Sequence, residues 1–210
     1  MANDNIILVG VPIPPNFRAD ARVVGMLEAW RAYKNVITYY PSTGSAEAGQ
    51  TKIVWVAKHM IPRPTHILFV DYDVLPRTNT LMKLVEHDKD IISGVYPTIQ
   101  KCEVGWCLSK EDPFVPMPIE DLPNNPFKAA SISNGMMLVK MEVFDRIKWP
   151  YWKSESDEEG VVTLGADLFF FQKARAAGYD LWVDPKLKCN HFKTVDLLGI
   201  AKNYMKGNTQ

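Results

Sequence analysis

The chain reads as a single α/β domain, a doubly wound and mostly parallel sheet flanked by helices. Two observations predict it. Short apolar runs alternate with amphipathic stretches over the first 96 residues, the pattern that parallel strand–helix–strand units impose. A chain of 210 residues with an ordinary balance of apolar and charged side chains is long enough for one buried core.

The elements follow in order. Ile6 to Val9 is a strand, ended by Gly10 and the turn Val11-Pro12-Ile13-Pro14-Pro15. Asp20 to Lys34 has apolar residues at helical spacing, Val23, Val24, Leu27 and Trp30, with Asp20 as the N-cap. Val36 to Tyr40 is a second strand, and Ser45 to His59 a helix with Ile53, Val54, Val56 and Ala57 on one face. His66 to Val70 is a buried strand that runs into Asp71-Tyr72-Asp73. A helix from Thr78 to Glu86 and a strand from Ile91 to Tyr96 complete the first half.

Pro97, Pro113, Pro116, Pro118, Pro123 and Pro126 break the pattern and predict a long functional loop over 97–126. Order returns with Ile132 to Val139 and a helix at Met141 to Lys148. Tyr151 to Gly160 is an acidic loop, Gly165 to Ala177 a helix stopped by Gly178, and Leu181 to Val183 a late strand. The expected boundaries are a first half (1–96), a second half (97–195) and a C-terminal tail (196–210).

Lys and Arg together equal Asp and Glu at 24 each, so no global field draws the chain to nucleic acid or membrane. The signs are segregated locally: lysines gather after Lys186, and acids gather from Glu155 to Glu159. Cys102, Cys107 and Cys189 lack the spacing of a disulfide framework or a zinc site and read as reduced thiols. No apolar stretch is long enough to span a membrane, and the polar N-terminus is no signal peptide. The expectation is a cytoplasmic protein.

Asp71 and Asp73 carry the chemistry. In extended chain residues i and i+2 point the same way, so both carboxylates sit together beyond the carboxyl end of a buried strand, where open α/β sheets bind ligands. Such a pair suits Mg²⁺ or Mn²⁺. The plain alternative is a strand that ends in an acidic turn.

Four segments in this order resemble glycosyltransferases of the GT-A fold, family 2 type: the strand ending at Val11-Pro12; Phe69-Val70-Asp71-Tyr72-Asp73; Ile92 to Pro97; and the run Ser133-Asn134-Gly135-Met136 through Gly165-Ala166-Asp167-Leu168, Ala177-Gly178-Tyr179 and His191. The likeness spans roughly residues 5 to 195 and implies that 1–96 is a nucleotide-binding half and 97–195 an acceptor-binding and catalytic half. It implies transfer of a sugar from a nucleoside diphosphate sugar, with a UDP-sugar favoured, to an acceptor hydroxyl with inversion. Asp73 and His191, with Asp71, would hold Mn²⁺ or Mg²⁺, and Asp71 would also face the ribose. Val11, Pro12, Tyr72, Lys188 and Lys193 would contact the nucleotide sugar. Asp167 would be the general base, and Tyr96, Trp106, Asn134, Gly135 and Trp152 would line the acceptor site. Two departures stand out. The family's Glu-Asp is Ala166-Asp167 here, and its Arg-Asn pair on the helix before Asp71 is replaced by Gln50, Thr51 and Lys52.

Small stand-alone members of this type occur in phages and in surface-polysaccharide clusters. The acceptor is then a saccharide or a hydroxymethylated base of phage DNA, the setting a bacterial or phage-infected cytoplasm, and a homodimer is allowed. Competing readings are a nucleotidyltransferase, which would want a glycine-rich loop where Pro12, Pro14 and Pro15 stand, and a non-catalytic sugar-nucleotide or glycan binder.

Overall fold

The computed structural model describes residues 5–100 and 103–193. In chain order the first half contributes β1 (Ile7–Gly10), α1 (Ala21–Trp30), β2 (Val36–Tyr39), α2 (Ala46–His59), β3 (His66–Val70), β4 (Val74–Leu75), α3 (Thr80–Glu86) and β5 (Ile91–Val95). The second half contributes β6 (Pro97–Gln100), β7 (Glu103–Trp106), β8 (Met117–Pro118), β9 (Phe127–Lys128), β10 (Met136–Lys140) and α4 (Met141–Arg146). It ends with β11 (Glu155–Ser156), β12 (Val162–Leu164), α5 (Ala166–Ala176), β13 (Trp182–Lys188) and β14 (Asn190–His191). Cys102 and the 196–210 tail lie outside the described residues.

The centre is a seven-stranded sheet in the order β2-β1-β3-β10-β5-β13-β9. β1 pairs in parallel with β2 and β3, and β5 with β13. Only β10 and the edge strand β9 run the other way. The domain is therefore mixed α/β with a mostly parallel sheet flanked by helices, as the alternating pattern predicts.

Helices cover both faces, which is why the strands read as unbroken apolar runs. Leu8, Ile67 and Phe69 point to the face packed by Ile53 and Ala57 of α2, Phe144 of α4 and Phe170 of α5. Ile7, Val9, Leu68 and Val70 point to the opposite face, under Val23, Leu27 and Trp30 of α1 and Leu81 and Leu84 of α3. The period of two along each strand divides one run between two cores. Asp20 caps α1, its carboxylate accepting the Arg22 N–H at 2.9 Å. Ser45 caps α2, its hydroxyl accepting the Ala48 N–H at 3.2 Å.

The second half departs from expectation. Segment 97–126 is not one loop: β6, β7 and β8 form a three-stranded antiparallel sheet inside it. Pro97 and Pro118 hide these strands in the sequence, but proline is tolerated at a strand's end and on edges. The acidic loop folds back as the β11–β12 hairpin. β13 runs to Lys188, well past Val183. Trp152 lies in the core rather than in a binding site. It stacks on Phe170 with centroids 5.0 Å apart, meets Phe69 edge-on at 5.3 Å and is only 5% exposed.

Candidate active site

Topology gathers the candidate residues at one end of the sheet. β3 and β5 end there, delivering Asp71 and Tyr96. β10 is antiparallel and begins there, so Asn134 and Gly135 arrive beside Asp71, and the Asp71 N–H donates to the Gly135 carbonyl at 3.0 Å. α5 leads back to the start of β13, which puts its first turn and Asp167 at the same end. β14 pairs with β4 and sets His191 opposite Val74, next to Asp73.

Asp73 is the centre of one cluster. Its Oδ2 accepts from the Lys193 ammonium at 2.7 Å, and its Oδ1 lies 3.5 Å from His191 Nε2. Burial opposes the Asp73 charge, but the contacts with His191 and Lys193 outweigh it and hold the carboxyl below its ordinary range. His191 Nδ1 lies 2.8 Å from the Pro97 carbonyl, which can only accept, so Nδ1 carries a proton. In the protonated ring Nε2–H faces Asp73 Oδ1 and supports its charge, whereas in the neutral ring Nε2 is a lone pair aimed at that oxygen. Among the described residues, both Nε2 and Oδ1 are buried without a hydrogen-bond partner. Two facing acceptors require a proton or a cation between them.

Those orphaned atoms test the fit of a metal. One carboxylate and one imidazole suit Mn²⁺ or Mg²⁺ that takes its other ligands from phosphates and water. Among the described residues no three His, Cys, Asp or Glu side chains form a fuller cage. Asp71, expected as a further ligand, does not join. Its Oδ2 faces the Tyr96 hydroxyl at 3.5 Å, because the strand turns into a bend after Val70 and the i, i+2 rule no longer holds.

Asp71 is instead wired to the strand beside it. The Gly135 N–H donates to the Tyr96 hydroxyl at 3.0 Å, and the Tyr96 ring meets His191 edge-on at 4.8 Å. Burial, then the neighbouring Asp73 charge, pushes the Asp71 carboxyl up to about 6. Gly135 has no alternative here: a Cβ would lie 2.1 Å from Asp71 Oδ2. Gly135→Ala is expected to displace Asp71 and cost about 1–3 kcal/mol, as overpacking does. Thermal denaturation checks this, and an unchanged melting temperature would remove the steric argument.

Asp167 heads a second cluster. It is not the cap of its helix: the N-cap is Gly165, with no side-chain cap bond. Its Oδ1 accepts from Asn134 Nδ2 at 2.9 Å. The residue opens onto a hollow of about 450 Å³, walled by Glu47, Gln50, Trp106, Cys107 and Phe171. Burial, then the charges of Asp71 and Glu47, pushes its carboxyl up to about 7. Asp167 keeps solvent access through the hollow, so water tempers that push until a ligand fills the space.

The other expected residues divide. Tyr96, Asn134 and Gly135 support the two aspartates, and Trp106 walls the hollow. Val11 is buried in the core, and Pro12 packs on Gly49, where a Cβ would come within 2.7 Å of it. Tyr72 packs against Phe17 at 5.2 Å. Lys193 sits at Asp73, but Lys188 does not: its ammonium lies over the Trp106 ring at 5.6 Å. Gln50 and Glu47 are wall residues that the sequence reading did not assign. Gln50 had a signal, a polar residue in line with Ile53, Val54 and Ala57 on a buried helix face.

No family model and no curated protein matches the sequence. Solved structures with a similar fold include A197 from STIV, with a TM-score of 0.62 and 14% identity over 90% of this chain and 86% of that one. GalNAc-T7, with UDP, GalNAc and Mn²⁺, aligns at a TM-score of 0.57 and 10% identity over 93% of this chain and 45% of that one. The catalytic domain of Drosophila beta1,4galactosyltransferase 7, in complex with xylobiose, aligns at 0.55 and 14% identity over 91% and 72%. The structural neighbours thus include glycosyltransferase catalytic domains, and this chain shares their mixed α/β fold. Among the described residues no helix is long and apolar enough to cross a membrane.

Proposed function

We propose that this chain is a metal-dependent, inverting glycosyltransferase that uses a nucleoside diphosphate sugar, with UDP-sugars and Mn²⁺ or Mg²⁺ favoured. The observation that carries the reading is a pair of buried ligating atoms, Asp73 Oδ1 and His191 Nε2, that face each other at 3.5 Å beyond the strand ends and have no hydrogen-bond partner among the described residues. The GT-A-type fold supports it, and the GalNAc-T7 structure with UDP, GalNAc and Mn²⁺ shows such ligands on a similar fold.

Asp73 and His191 would hold the cation, which when bound neutralises charge on the departing diphosphate. Lys193, paired with Asp73, adds a second positive group within reach of that leaving group. Asp167, held in place by Asn134, accepts the proton of an acceptor hydroxyl seated in the hollow. The acceptor oxygen bonds to the anomeric carbon as the bond to the diphosphate oxygen breaks on the opposite face. A carboxyl near 7 is well matched to that proton transfer. The acceptor is a saccharide or another hydroxyl-bearing group.

Stereochemistry tests the proposal with water as acceptor. Proton NMR of a fresh hydrolysis of an α-linked UDP-sugar should show the β-anomer of the sugar first. Initial release of the α-anomer would contradict inversion.

A further inference from the structure

A second hollow, of about 440 Å³, has Trp106 in its wall and is lined by none of Asp73, His191 and Lys193. It is lined by Arg77, Lys186, Lys188, Trp106, Ile119 and Asn124 among others, and by no acidic side chain among the described residues. Lys186 and Lys188 alternate outward along β13, while Pro185, Leu187 and Cys189 are buried between them. Side chains two residues apart on a strand stand about 6.6 Å apart on one face, close enough for both ammonium groups to reach one ligand. Arg77 adds a planar fork from the turn after β4, where its N–H donates to the Thr80 hydroxyl at 3.1 Å.

The nearby acids are engaged elsewhere. Asp184 pairs with His87 at 2.8 Å, and Asp73 with Lys193 and His191. Asp121 faces a neighbouring hollow beside Lys110 and Asp112, and Glu120 is exposed on the same loop without lining either. Three cations therefore converge on one concave surface in a chain whose formal net charge is zero. Charge-assisted contacts from lysine and a guanidinium fork are the chemistry of phosphate binding. Trp106 is fixed as the wall by its indole N–H, which donates to the Ile119 carbonyl at 3.1 Å.

We infer that this hollow binds a phosphate group. On the transferase reading, on which this step rests, the phosphate belongs to the acceptor. Trp106 walls both this hollow and the one that holds Asp167, whereas the donor's own diphosphate is assigned to Asp73 and His191. The acceptor is then a phosphate ester whose hydroxyl meets Asp167 on one side of the indole while its anion meets Arg77, Lys186 and Lys188 on the other.

The test is calorimetric titration of inorganic pyrophosphate into the full chain with EDTA present, so that no metal-bound phosphate contributes. One saturable site is expected, equal in the native chain and in Asp73→Asn. Lys186→Gln/Lys188→Gln should weaken it at least tenfold, and Arg77→Gln should weaken it in a separate variant. The double-glutamine variant should keep its circular dichroism spectrum and its Mn²⁺-dependent hydrolysis of sugar nucleotides. No saturable binding, or binding lost in Asp73→Asn and kept in the lysine variants, would overturn the site. Displacement by glycerol phosphate assigns a small ester or lipid headgroup, and displacement only by a short single-stranded oligodeoxynucleotide assigns a nucleic-acid strand. Displacement by neither overturns the acceptor assignment. Intact pyrophosphate binding in a chain that hydrolyses no sugar nucleotide would refute the transferase reading and leave the anion site standing.

Discussion

Asp167→Asn is expected to cut turnover by about 10²–10⁴, the usual worth of a positioned general base. Asparagine keeps the shape and an oxygen for the Asn134 amide, so the 2.9 Å contact can persist. Donor affinity should change little, because the cation and nucleotide are assigned to Asp73 and His191. The pH dependence has a definite sign. The base must be ionised, and its carboxyl is pushed up to about 7. Native turnover should therefore rise with pH and level off above about 7, and the residual rate of Asp167→Asn should lack that step. Stability runs the other way. A carboxyl raised from 3.8 to about 7 favours the folded state at low pH, and that contribution is lost as pH rises through about 7. Water in the open hollow tempers that contribution in the unliganded chain, so Asp167→Asn should match the native melting temperature near pH 4 and lie only slightly above it near pH 8. A fast Asp167→Asn enzyme would leave the residue without a catalytic role.

Asp73→Asn carries the second large effect. It removes one of the two ligating atoms and the counter-charge of Lys193. Mn²⁺ binding, followed by electron paramagnetic resonance, should be lost at concentrations that saturate the native chain. Turnover should fall by about 10²–10³, the scale for losing one electrostatic stabiliser of a leaving group. The fold should survive. The Lys193 contact is partly exposed, with the lysine side chain 46% accessible, and such pairs contribute about 0–1 kcal/mol. The substitution also relieves two facing acceptors. Unchanged Mn²⁺ affinity would show that the cation sits elsewhere.

How far the sequence was legible follows from the range of the signals it carries. Local period and local caps were readable. Ile67 to Val70 is buried on both faces, α2 begins at a serine that caps it, and Asp20 caps α1. The order of strands was not readable, because pairing of β10 between β3 and β5 depends on contacts far apart in the chain. The sheet inside 97–126 was hidden by prolines that tolerate edge positions. Trp152 illustrates the limit for single residues: an aromatic in an acidic loop looks like a ligand platform, and only the packing of Phe69, Phe144 and Phe170 makes it core. The same limit separated Asp71 from Asp73. Period two predicts a shared direction, but the chain leaves the strand at Val70, and Tyr96 and Gly135 draw the first carboxylate to a different partner. Lys188 was drawn toward the diphosphate by its nearness to His191 in sequence, whereas alternation along β13 sends it to Trp106. Asp167 gave the opposite case. A carboxylate in the first turn of a helix can cap it, but the geometry gives the cap to Gly165 and leaves this one facing a hollow.

The central claim is tested most directly by nucleoside diphosphate release from a panel of sugar nucleotides, followed by chromatography, with Mn²⁺ and with EDTA. At least one sugar nucleotide should be cleaved by the native chain with Mn²⁺. Cleavage should stop with EDTA, return when Mn²⁺ is restored and be lost in Asp73→Asn. Release that persists in EDTA, or in Asp73→Asn at the native rate, would contradict the account, as would the absence of cleavage across the whole panel.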